Sequence, residues 1–161
     1  VCHACITRCM VRRQFGIRGF RRFGVEACIP LTEYFWRAIF MAWIVEYTDE
    51  FEAWWFGLTE AEQESVAASV SLLETRGPDL GYPHSSGVNG SKHGHMRELR
   101  TQHAGQPFRT LYAFDPLRHA ILLLGGDKTG IDRWYEVNVR VADRLYDDHL
   151  TQLKREGLLN G

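Results

Sequence analysis

Three extended runs joined by short turns limit what this chain can become. Met96–Gln102, Pro107–Phe114 and His119–Leu124 read as strands, separated by Ala104-Gly105-Gln106 and Asp115-Pro116. Such turns are too short for a crossover, so consecutive runs must pair antiparallel, as a meander. Gly125-Gly126 reads as the end of the last strand. A three-stranded sheet needs a partner layer to bury its apolar face.

The flanking sequence supplies that layer. Trp43–Tyr47 reads as a short first strand. Thr48 is a candidate N-cap, and Asp49 and Glu50 suit a first helical turn. That helix carries Phe51, Trp54 and Trp55 and ends at Gly57. Thr59-Glu60-Ala61-Glu62 is a capping box for a second helix, which places Val66, Val70 and Leu73 on one stripe. Gly77-Pro78 stops it. Residues 77–95, rich in Gly, Pro, Ser and His, read as a loop. A last helix is expected from about Asp132 to Lys154, with Trp134, Val137, Val141 and Leu145 inward. The order is β-α-α-β-β-β-α, an α+β fold with a mainly antiparallel sheet packed against helices.

The chain has 161 residues, a length that suits one folded domain. Its formal net charge of -1 hides a division. Residues 1–40 hold seven arginines against Glu26 and Glu33, and all four cysteines. This segment is expected to be a basic, disordered arm or an upstream translated extension. The domain is expected to occupy residues 41–161. Cys2, Cys5 and Cys9 lack a second tight ligand pair, so they make a poor structural zinc site. The apolar run Tyr34–Val45 is broken by Arg37 and is too short to span a bilayer. No membrane association is expected.

Charge divides again inside the domain. Residues 46–80 hold nine acids against Arg76 alone. Residues 92–133 hold seven Lys and Arg against four acids, with four histidines. These cations either balance neighbouring acids or form an anion site suited to an RNA backbone. Alternation puts Met96, Glu98 and Arg100 on one side of their strand, and Arg97 and Leu99 on the other.

Lys92-His93-Gly94-His95-Met96-Arg97-Glu98-Leu99-Arg100, followed by Pro107-Phe108-Arg109-Thr110-Leu111-Tyr112-Ala113-Phe114-Asp115, resembles the RelE/HigB (ParE) toxin superfamily. It looks most like the phage-derived Gp49-like branch. Gly125-Gly126-Asp127-Lys128 and Arg133-Trp134-Tyr135-Glu136 resemble that family's closing segment. The likeness covers about residues 41–155. It implies a RelE-like fold and the toxin of a type II toxin–antitoxin pair. The implied activity is a ribosome-dependent, metal-independent mRNA endoribonuclease, without cofactor, in the cytoplasm. The implied partners are a cognate antitoxin, of helix-turn-helix type, and mRNA on the ribosome. Carried onto this chain, Arg100 and Arg109 hold the scissile phosphate and Lys128 adds charge. Tyr135 stacks on a base or shifts a proton. Glu98 is the general base, with His93 and His95 as rivals. Lys92, His93, Arg97 and Arg133 contact RNA. Related toxins often carry paired lysines after the last strand, whereas here Thr129 and Gly130 follow Lys128. A ParE-like toxin that binds a topoisomerase without chemistry, or an inactive antitoxin-binding module, remain alternative readings.

Overall fold

A computed structural model describes residues 21–22, 43–130 and 133–159. The meander forms as β4 (Arg97–His103), β5 (Gln106–Phe114) and β6 (Ala120–Asp127). Ala104 and Gly105 both take positive φ, at 48° and 84°. That is the backbone of a two-residue hairpin whose twist matches its strands. A register shift between Leu111 and Tyr112 lets β5 follow β6 past the extra residue Leu123. β2 (Val45–Tyr47) pairs parallel with β6, and all other pairings are antiparallel. The order across the sheet is β1 (Arg21–Arg22), β2, β6, β5, β4 and β3 (Ser85–Gly87).

Two edge strands were not foreseen. β1 is Arg21–Arg22, and β3 is Ser85–Gly87, inside the segment read as a loop. Runs this short carry no detectable period, and their pairing is set by the neighbour strand. The remainder of the expected arm, with its four cysteines, lies outside the described residues. Among the described residues no helix is long and apolar enough to cross a membrane.

Helices cover both faces of the sheet. α1 (Asp49–Phe56) starts at Thr48, whose hydroxyl accepts from the Phe51 N–H at 3.2 Å. α2 (Glu60–Arg76) starts at the expected capping box, with Thr59 and Glu62 bonded reciprocally. Phe51, Trp55, Val66, Val70 and Leu73 pack with Leu99, Phe108, Tyr112 and Leu122 of the sheet. α3 (Trp134–Arg155) covers the opposite face, where Met96, Leu111, Ala113, Ile121 and Leu123 meet Trp134, Val139, Ala142, Leu145 and Tyr146. The inward stripe of α3 therefore differs from expectation in one residue. Val137 is 61% exposed, while Trp134 and Leu145 are buried and Val141 is partly buried. Buried Asp143 and His149 take inward positions, and polar residues there blur the apolar period.

Gly125 and Gly126 sit within β6 rather than after it. A Cβ on Gly125 would stand 2.0 Å from the Trp54 ring, and one on Gly126 would stand 2.8 Å from Trp134 Nε1. One indole from α1 and one from α3 thus close onto the same strand, where only a bare backbone fits.

A polar chain crosses the α3 face. The Tyr146 hydroxyl donates to the Phe114 carbonyl at 2.8 Å, and His149 Nε2 lies 3.0 Å from Asp115 Oδ2. Burial, with Asp115 adding repulsion, raises the Tyr146 phenol to about 12. A raised acid constant means that the folded protein keeps a proton the unfolded chain loses. Stability is therefore full below pH ~10 and falls as pH rises toward ~12, by at most about 3 kcal/mol. Urea unfolding across this window is expected to show that loss, and Tyr146→Phe is expected to remove the part due to this group.

Candidate functional site

Strand alternation places Glu98, Arg100 and Arg109 on the α3 side of the sheet, with Met96 and Leu111. Arg100 and Arg109 stand directly opposite in the β4–β5 register. Two like charges in that position repel, and the Glu98 carboxylate between them offsets this. Its Oε1 lies 3.9 Å from Arg100 Nε, and its Oε2 lies 3.5 Å from Arg109 Nε. Glu98 is 6% exposed and Arg109 4%. A buried carboxylate and a buried guanidinium each need the other, because neither is solvated. Arg109 also donates from Nη1 to the Phe108 carbonyl at 2.8 Å, while its Nε makes no hydrogen bond.

Two further elements reach the same carboxylate. Ser86 of β3 donates to Oε1 at 2.8 Å, and the Tyr135 hydroxyl at the start of α3 donates to Oε2. Burial, then the Glu98 hydrogen bond and charge, push the Tyr135 phenol above its ordinary value, with Arg109 opposing. Tyr135 therefore stays protonated and remains a donor across the physiological range. Lys128, just past β6, puts its ammonium 4.7 Å from the centre of the Tyr135 ring, a cation–π distance. Arg100 keeps 30% of its side chain exposed. The cluster is thus one carboxylate, two hydroxyl donors and three cations. Arg100 and Lys128 are both only partly buried, so a solvent-borne anion can reach these two cations.

Glu98, Arg100, Arg109, Lys128 and Tyr135 come together, but the four residues expected to contact RNA do not join them. Arg97 points to the opposite face. Its Nε donates to Ser85 Oγ and Tyr112 OH at 3.1 and 3.2 Å, and its Nη2 donates to the Leu80 carbonyl at 3.0 Å. That is a structural clamp on the loop after α2. Lys92 pairs with Asp147 of α3, which raises its ammonium and lowers the carboxyl. His93 Nε2 lies 2.9 Å from the same carboxylate. The rival base His95 faces the Tyr146 hydroxyl at 3.1 Å, and burial lowers its ring. Arg133 pairs with Glu136 at 2.6 Å on the exposed first turn of α3. For Lys92, His93 and Arg133, the reading that cations balance neighbouring acids is the one the geometry supports. Ser86 was missed, since it lies on an edge strand without a sequence signal. Among the described residues no group of three or more His, Cys, Asp or Glu could hold a metal ion.

A model of the family described as phage derived protein Gp49-like (DUF891) matches residues 53–147, which contain every member of this cluster. The chain belongs to the Gp49-like family. Two Mycobacterium tuberculosis proteins are similar to it. One, named "Putative toxin HigB3", is 47% identical over 100 residues, covering 62% of this chain and 86% of that protein. The other, named "Putative toxin HigB2", is 40% identical over 108 residues, covering 66% of this chain and 54% of that protein. No solved structure matches significantly. The β-α-α-β-β-β-α core that this Gp49-like chain adopts is the RelE-like order expected from its sequence.

Proposed function

We propose that this Gp49-like protein is the toxin of a type II toxin–antitoxin pair, and that it cuts mRNA on the ribosome without metal. The observation that carries this reading is Glu98 held between Tyr135, Arg109 and Arg100, with Lys128 against the Tyr135 ring. The names of its HigB relatives support the toxin role. RNA cleavage without metal needs a proton acceptor at the ribose 2′-hydroxyl, cations at the phosphate and a donor for the leaving oxygen. Glu98 accepts the proton as the 2′-oxygen bonds to phosphorus. Arg100 and Lys128 take the phosphate charge, and Arg109 orients the carboxylate and adds positive charge. Tyr135, bridged to Glu98, passes a proton to the 5′-oxygen as its bond to phosphorus breaks. The cytoplasmic partners under this reading are the ribosome-bound message and a helix-turn-helix antitoxin that holds the toxin inactive.

The test is inducible expression of the full chain, read by growth and by mapping mRNA 5′ ends after a short pulse. Growth arrest with codon-periodic new ends is expected, relieved by the adjacent antitoxin gene. The variant carrying Arg100→Ala and Lys128→Ala is expected to lose both signals while staying folded. Arrest that persists in that variant would sink the ribonuclease assignment. DNA-damage signalling without new RNA ends would favour a topoisomerase target.

A further inference from the structure

A cleft of about 570 Å³ opens along the free part of the β4 edge, between that strand and α2. Its size falls in the range of small-molecule sites. Ala68 and Leu72 line it from α2, and Tyr82, His84, Arg100 and Gln102 line it from the sheet edge and its loop. Tyr82 is 80% exposed. A large ring in that state carries a cost in apolar exposure unless something covers it. The Arg100 guanidinium carbon lies 5.3 Å from the centre of the Tyr82 ring, which steadies the ring from one side. The side chains of His84 and Gln102 make no hydrogen bond to any described residue.

We propose that this cleft binds an unstacked nucleobase of the RNA, next to the phosphate that Arg100 holds. The inference rests on the ribonuclease reading above. Three features of the molecule converge on it. The first is an exposed aromatic ring beside an arginine plane, the pair on which single-stranded bases stack. The second is the polar content. An amide and an imidazole each offer a donor and an acceptor, which match a base edge rather than a phosphate. The third is continuity. Arg100 lines the cleft and also stands 3.9 Å from the Glu98 carboxylate. Arg100 starts on the α3 side and reaches round the edge of β4 to the Tyr82 ring, so one side chain joins the candidate cutting site to the cleft, and a base placed there sets which phosphate lies at Glu98.

Binding of a fluorescein-labelled hexaribonucleotide, 2′-O-methylated so that it cannot be cut, tests this on the full chain. Tyr82→Ala is expected to weaken affinity roughly five- to a hundred-fold, the loss of one base–aromatic stack, while Tyr82→Phe stays within about twofold. Gln102→Ala is expected to change the ratio of affinities for adenine and uracil oligomers. Tyr82 is exposed, so each variant should keep the wild-type melting temperature. Wild-type protein that cleaves RNA but shows unchanged affinity on Tyr82→Ala would overturn the cleft and leave the ribonuclease reading standing. Affinity that falls with Tyr82→Ala in a protein that never cleaves would overturn the ribonuclease reading alone. Unchanged RNA affinity with weakened antitoxin binding would assign the cleft to the antitoxin and overturn the proposal.

Discussion

Replacing Glu98 by glutamine is expected to slow RNA cleavage by ~10²–10⁴-fold, the range for loss of a positioned proton acceptor. The amide keeps the size of the side chain but cannot take the proton. It also removes the charge beside Arg109, which is 4% exposed. Breaking a buried pair from one side costs ~3–5 kcal/mol, because the other charge is left unpaired. A lower melting temperature is therefore expected alongside the lost activity. Tyr135→Phe separates the two effects. It leaves Glu98 facing Arg109 and removes only the hydroxyl that donates to Oε2. A loss of ~10²-fold in cleavage is expected there, with little change in stability. Single-turnover cleavage of message bound to purified ribosomes, beside a thermal melt of each variant, reads both. Folded Glu98→Gln protein that retains cleavage within about tenfold would remove Glu98 from the mechanism.

Gly77→Ala is expected to cost about 3 kcal/mol or more, from backbone strain and overpacking together. Gly77 closes α2 with φ at +54° and ψ at -129°, a region that side-chain-bearing residues avoid. A Cβ there would also stand 2.1 Å from Trp43 Nε1 and 2.3 Å from two further indole atoms. The indole is not free to retreat. It packs edge-on against Phe114 at 5.1 Å, and Arg118 lies over it at 4.9 Å. The Trp43 backbone N–H also donates to the Glu74 carbonyl at 2.8 Å, which fixes the main chain that carries the indole. The substitution therefore loosens the join between the end of α2 and the residues leading into β2. Urea denaturation compares the two proteins, and a loss below about 1 kcal/mol would rule out so close an approach.

What could be read from the sequence divides by range. Thr48 and the Thr59–Glu62 box are local devices, and both form as their spacing implies. The meander was legible because its turns are short. Alternation put Glu98 and Arg100 on one side of their strand and Arg97 on the other, but the resemblance assigned Arg97 to RNA, and its bonds to Ser85, Tyr112 and Leu80 come from parts of the chain that strand alternation does not reach. Other features depend on contacts distant in the chain. Lys92 and His93 find Asp143 and Asp147 some fifty residues later. Ser86 reaches Glu98 through a three-residue strand with no pattern of its own. The meeting of Tyr135 with Glu98 depends on which face α3 covers, and the register of an amphipathic helix does not specify that. Gly125-Gly126 was misplaced for the same reason, since the two indoles that require glycine there come from both ends of the domain.

The parallel pairing of β2 with β6 sets an order of events during synthesis. Val45 must find Ala120, and Tyr47 must find Leu122, so β2 waits for the last strand to be made. Contacts of such separation slow folding, since a long loop must close before any of them forms. Lys128 and Tyr135 emerge later still. A nascent chain therefore carries Glu98 and both site arginines well before it can assemble the cluster around them. The cluster is therefore completed only after most of the chain has been made, and that delay is set by the strand order.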